Sequence, residues 1–410
     1  MRYNIICSVV ALCFVASTAN AQGEDKEMDY RRSSIYSVMI NHTDQKFSDE
    51  IKTAFIDMEL PDKYNDHNLS VKILDMDKKL KGAKSDEENQ IITDFLNNNN
   101  IGSRLVAKWF NRDAFTGQCD VELVKERGLY NASEFDKAIA ARSERARALL
   151  EDAGEDLIGN TFVLVNDIRY VDKSQKSAVA GGILRGLGSL GSAFGVNLNS
   201  TMDHLANMIE SIKGFKVQIN TFLYQLVWDE PTSATFYQNH YSDSPDEAKR
   251  QAFEAGRGSY KLKFAGKVES KGNAASFMGI KEEQPQLMVL KACTRAIDEN
   301  VADLGHEVEA FRVKVPLLST EPLTASIGMK EGVDKNSRFE VLEVNEDPQT
   351  GKRSYKRVGV IQPIGNLIWD NRFMALEEGA PGATLGKTTF KKVSGNDFYP
   401  GMLIREIASK

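Results

Sequence analysis

The sequence predicts an α+β protein: a layered α/β domain carrying a glycine-rich insertion, a long linking helix, and a small C-terminal β-barrel or roll. Three observations carry this expectation. From residue 35 to about residue 265, apolar runs of strand length alternate with amphipathic helical stretches, the pattern of a layered α/β domain. A stripe of Leu290, Cys293, Ile297, Val301, Leu304 and Val308 then recurs every three or four residues, which places all six on one helix face. Beyond residue 311 the chain becomes short strand-like pieces separated by turn residues, as in small barrels and rolls. The expected divisions are a signal peptide (1–21), a loose leader (22–32), the α/β domain (33–265, with its insertion at 173–200), a linking helical segment (266–310) and the β-rich module (311–410). A chain of 410 residues with 41% hydrophobic composition is long enough to bury more than one core.

The first element is the signal. Arg2, an apolar core over residues 5–16 and the ending Ala19-Asn20-Ala21 are the parts of a cleavable export sequence. The apolar run is shorter than the roughly 20 residues that span a bilayer. Leu12 precedes Cys13, where lipid attachment needs a small residue. The expected product therefore starts at Gln22, unlipidated, in the periplasm or at the outer-membrane periphery.

Within the α/β domain, SIYSVMI (34–40) reads as a strand, FSDEIKTAFIDM (47–58) as a helix and LSVKIL (69–74) as a strand. DEENQIITDFL (86–96) and SRLVAKWF (103–110) have helical character and CDVELV (119–124) alternates like a strand. A capping box, Ser133-Glu134-Phe135-Asp136, opens a helix with Phe135, Ala138, Ile139, Ala146 and Leu149 on one face. NTFVLVNDIRYV (160–171) and FKVQINTFLYQLVW (215–228) are the clearest strands. Two more capped helices are expected, at Ser200-Thr201-Met202-Asp203 and at Ser244-Pro245-Asp246-Glu247, the latter with proline in its first turn.

Between the two clear strands lies AVAGGILRGLGSLGSAFGVNLN (178–199), with six glycines and one charge, Arg185. Gly186 to Gly191 spell G-x-G-x-x-G, but a polar linker, DKSQKS, separates them from the preceding strand. A dinucleotide site needs its glycines directly at the strand end, so no cofactor is expected. Residues 178–198 are long enough to cross a membrane, and Gly182/Gly186 and Gly191/Gly195 have the four-residue spacing of close helix packing in lipid. So many glycines weaken any helix in water. The segment is read as a flexible loop that packs Ile183, Leu184, Leu187, Leu190 and Phe194 on its own domain or a neighbouring subunit, with membrane or oligomer insertion as the alternative.

Other chemistry is sparse. The net charge of −6 becomes −7 when the signal takes away one arginine and no acid. That balance gives no basic footprint for nucleic acid, and the cluster Arg142, Arg145, Arg147 reads as a solvated helix side. Of four cysteines, Cys119 and Cys293 outlast the signal; an exported pair invites a disulfide, whereas the position of Cys293 on an apolar stripe suits a packed free thiol. His42, His67, His204, His240 and His306 show no metal-ligand spacing among themselves, so no metal is expected. His240, in FYQNHYSD, reads as a strand end or loop. Trp369, Asp370 and Arg372 form the one combination suited to reading a sugar; the competing reading is a barrel corner in which Trp369 fills the core and Asp370 pairs with Arg372.

The paired segments GNTFVLVNDIRYV and VQINTFLYQLVWD resemble strands in the α/β domain of the bacterial curli-secretion channel and related envelope-assembly proteins. IGMKEGVDKNSRFEVLEV and KRVGVIQP are similar to the small β-modules that end flagellar and secretion assembly proteins. Together they resemble secreted envelope proteins of Gram-negative bacteria. The resemblance implies a non-catalytic role in envelope assembly, with envelope proteins or further copies of the chain as partners. The curli channel is a lipoprotein and this chain lacks the attachment motif, so a membrane-channel role does not carry over directly. A membrane-associated oligomeric channel using residues 178–198 and an exported glycan hydrolase are the alternatives.

Overall fold

The computed structural model describes residues 33–130, 157–171, 215–273, 285–346 and 353–407. The expected signal and leader, the helices expected to open at Ser133 and Ser200, the arginine cluster, and the glycine-rich segment with Gly182, Gly186, Leu187, Leu190, Gly191, Phe194 and Gly195 lie outside the described residues.

The fold is α+β. Strand β1 (Ser34–Ile40) is buried along its whole length because both of its faces are covered. Ile35 and Met39 point into one core, and Tyr36, Val38 and Ile40 into the other, the period-two split that a two-sided strand requires. Helix α1 (Ser48–Asp57) leads to the two-residue strands β2 (Asn65–Asp66) and β3 (Ile73–Leu74), both parallel to β1. Short helices α2 (Asp77–Leu80), α3 (Ser85–Asn98), α4 (Ile101–Trp109) and α5 (Glu122–Tyr130) follow. Strand β4 (Thr161–Tyr170) then enters on the other side of β1, again parallel. β5 (Lys216–Leu226) and β6 (Leu262–Asn273) complete the sheet in antiparallel sense, giving the order β2-β1-β4-β5-β6 with β3 beside β1.

Local chemistry explains the helix boundaries. The asparagine run ends α3 because Asn100 adopts φ 53°, a left-handed conformation that asparagine tolerates better than most residues. Asn97 faces inward and grips β6, accepting from the Leu262 amide at 2.8 Å and donating to its carbonyl at 3.1 Å. CDVELV does not form the expected strand: Asp120 accepts from the Glu122 amide and α5 begins there, burying Val124. Helix α6 (Glu230–Asn239), not anticipated, is capped by Asp229, which accepts from the Thr232 amide at 3.0 Å. Helix α7 (Glu247–Gly256) starts later than expected, with Asp246 as its cap in place of Ser244. Asp246 accepts from the Lys249 amide at 2.9 Å; Asp246→Ala should cost about 1 kcal/mol, measured by urea unfolding, and an unchanged midpoint would show the cap to be idle.

Helices α3 to α7 cover one face of the sheet around Trp109, Phe110, Phe222 and Phe236. The other face is covered by α1 and by α8 (Pro285–Glu307), where Cys293, Ile297, Val301 and Leu304 are buried as the stripe predicts. α8 is thus a layer of the α/β unit and not only a connection. It lies so close to β6 that a Cβ on Gly272 would sit 2.2 Å from the Ala292 carbonyl oxygen. β6 itself runs past residue 265, the expected end of the domain. Cys119 and Cys293 are buried free thiols in the cores on opposite faces of the sheet, so they form no disulfide.

Strands β7 (Lys314–Thr320), β8 (Leu323–Ala325), β9 (Phe339–Glu346), β10 (Arg353–Pro363), β11 (Thr388–Gly395) and β12 (Leu403–Glu406) close a barrel in the order β10-β11-β8-β7-β12-β9. Its core centres on Leu317, Val341, Ile361, Phe390 and Ile404. Among the described residues no helix is long and apolar enough to cross a membrane.

Candidate functional site

Three polar regions stand out. The first lies at the carboxyl ends of β1 and β4. β1 runs into Asn41-His42-Thr43-Asp44, and this loop is stitched to β4 by Gln45, which donates to the Ile168 carbonyl at 3.1 Å and accepts from the Tyr170 amide at 2.9 Å. His42 is buried, with its Nε2 2.6 Å from Asp167 Oδ1. Arg169 Nε donates to the other Asp167 oxygen at 3.0 Å. Burial pushes the Asp167 carboxyl up, but His42 and Arg169 together hold it below its ordinary range. On the far side of β1, the parallel pairing Ile40↔Leu74 brings the end of β3 alongside. Asn41 donates to Asp75 at 2.7 Å, and His42, Asp44 and Asp77 each offer a donor atom within 4.8 Å of the others.

Spacing among histidines considers one ligand type, whereas this trio combines one histidine with two aspartates. His42 and Asp44 lie on the loop after β1, Asp77 opens α2 just beyond β3, and Asp167 behind them comes from β4. In the sequence only His42-Thr43-Asp44, one residue beyond the end of β1, hints at it. Residues 172–214, which include the glycine-rich run, connect β4 to β5 at this same end of the sheet. Phe47, Tyr170 and Phe215 pack together there, with ring centroids 5.0–5.8 Å apart.

The second region is the junction of α8 with the barrel. Asp298 on α8 is buried and its Oδ2 has no hydrogen-bond partner; burial pushes its carboxyl up to about 7. Beside it, Glu331 is also raised by burial, while accepting from the Gly328 amide at 2.8 Å and from Asn371 at 2.9 Å. Lys330 reaches Asp62 at 3.5 Å. Burial lowers its ammonium, but Asp298, Asp62 and Glu331 outweigh that and hold it above the ordinary lysine range. Asp298, Lys330 and Glu331, with Tyr64, His306 and Glu406, line a cavity of ≈ 30 Å³, room for water and not for a sugar ring.

Further along α8, Lys291 is 1% exposed and pairs with Glu378, which also accepts from Arg295 at 2.7 Å. Asp370 is buried and pairs bidentately with Arg372 at 2.8 and 2.7 Å. The Arg372 guanidinium holds the Asp370 carboxyl low despite burial. The corner reading of Trp369, Asp370 and Arg372 therefore describes the charged pair. The core position expected for Trp369 is filled instead by Ile368, and Trp369 is half-buried. His240 sits at the carboxyl end of α6, bonded to the Tyr260 hydroxyl at 2.5 Å and packed on Phe236 and Phe253.

The third region is the outer edge of β6. The opposite edge of the sheet is made by two-residue strands, whereas β6 presents twelve residues. β6 ends the strand order, and β5 is its one partner strand among the described residues. Lys263, Glu269 and Lys271 are exposed along it, as is Phe264. No family model matches this chain, and no curated protein matches it.

Proposed function

We propose that this is an exported, non-catalytic protein of the cell envelope that acts in assembly by binding envelope proteins or further copies of itself. The observation that carries the reading is the long outer edge of β6. An edge strand is a template on which another strand can pair. Lysines along such an edge discourage indiscriminate pairing, and exposed Phe264 supplies an apolar contact for a partner that fits. The strands that resemble the curli-channel domain, β4 and β5, pair along nine consecutive residues and support this edge from behind.

The test is site-specific photo-crosslinking in producing cells. A photoreactive residue at Lys263 or Lys271 should yield a discrete adduct, while one at Phe115, 89% exposed on the loop between α4 and α5, should not. Equal labelling from all three positions, or none from β6, removes the support for a docking edge. Retention of the protein in alkali-washed membranes only when residues 178–198 are present would favour the inserting-channel alternative instead.

A further inference from the structure

We propose that the protein binds one divalent transition-metal ion, of the zinc or manganese class, on His42, Asp44 and Asp77 at the carboxyl ends of β1 and β3. The three donor atoms already lie within 4.8 Å of one another, although metal bonds of roughly 2.0–2.2 Å require the carboxylates to close in slightly. Asp44 is on the loop after β1, and Asp77 is the first residue of the short helix α2, where its side chain can turn inward. His42 is the fixed point. Its side chain is 4% exposed and its Nε2 is held by Asp167, leaving Nδ1 as the nitrogen for a cation. A carboxylate behind a histidine is how metal-binding imidazoles are oriented and made more basic. Here that carboxylate is itself anchored by Arg169.

Charge points the same way. Asp44 and Asp77 lie close together, and among the described residues neither is ion-paired to a lysine or arginine. Adjacent like charges are unfavourable without a cation between them. Topology adds an independent reason. From β1 the chain crosses first to β2 and β3 on one side and later to β4 on the other. α/β sheets hold ligands at the carboxyl ends of strands where the connections part in this way. One imidazole with two carboxylates suits zinc or manganese, whereas calcium takes six to eight oxygens. Three protein ligands leave a position open for water or a group brought by a partner.

The experiment is calorimetric titration of the full exported chain with zinc chloride and with manganese chloride, and with calcium and magnesium chlorides as comparators. One zinc or manganese ion per chain is expected. Asp44→Ala and Asp77→Ala should each weaken binding at least tenfold, and Asp167→Asn by about 10–100-fold, while zinc X-ray absorption still reports one imidazole in the wild type. Asp44 and Asp77 are not in the core, so their variants should unfold like wild type in chelator; this separates lost ligation from lost folding if His42→Ala is unstable. Wild-type affinity in the Asp44→Ala/Asp77→Ala double variant, absence of binding, or preference for calcium or magnesium would overturn the assignment.

Discussion

Glu378→Ala is expected to destabilise the protein by about 3 kcal/mol and to loosen the barrel from α8. Lys291 is 1% exposed, and burial together with Arg295 and Arg372 already pushes its ammonium down to about 7. Glu378 is the carboxylate in contact with it, and it also receives Arg295 at 2.7 Å. Removing one partner of a buried pair costs about 3–5 kcal/mol, because the other charge is left without compensation; Glu378 keeps 20% exposure, which places the effect at the lower end. Arg295 would retain its bonds to the Phe373 carbonyl at 3.0 and 2.8 Å, so the contact weakens without vanishing. Adding Lys291→Met to Glu378→Ala should recover most of the loss, since an apolar residue there needs no partner. Chemical unfolding of the single and double variants measures both effects. A Glu378→Ala midpoint equal to wild type would mean that the pair contributes nothing to the junction.

Stability should also fall as pH rises from about 4 to 7, and Asp298→Asn should remove much of that slope. The Asp298 carboxyl has an ordinary value of 3.8 and is raised to about 7 in the fold by burial. In the window between, the folded chain holds a proton that the unfolded chain has released, so raising the pH disfavours folding. Three pH units correspond to roughly 4 kcal/mol as an upper bound. Lys330, Glu331, Asp62 and Arg295 all act on this carboxyl. Glu331 is raised too, and so is His306 through its bond to Glu406. A raised histidine loses its contribution as pH climbs through its folded value, the same direction in a higher window. Comparing Asp298→Asn with wild type at pH 4.5, 6 and 8 isolates the one carboxyl: the variant should gain most at pH 8. Parallel curves would contradict the assignment.

Much of this architecture was legible in the sequence, for a physical reason in each case. β1 and β4 are buried along most of their length and read as apolar runs, and β5 alternates between buried and half-buried residues. α8 buries one stripe continuously, so its period survived in the residues. CDVELV misled because alternation over six residues is equally compatible with the turn and first residues of a helix whose Val124 faces the core. α6 was missed although Asp229 and Pro231 mark its start; Phe236 is its one fully buried side chain, too little to set a period. The edge of β6 could not be recognised without strand order. The polar centre was hidden more deeply. His42 and Asp44 are close in sequence, but Asp77 and Asp167 join them only through parallel pairing on both sides of β1.

The packing of α1 against α8 has a consequence for biogenesis. Ile51, Ala54 and Phe55 share a core with Ala292, Cys293 and Ala296, so an early helix is sealed by a late one. A polypeptide emerging amino end first, from ribosome or translocon, exposes that greasy side until most of its length is out. Escort by a holding chaperone is the demand this arrangement places on the cell.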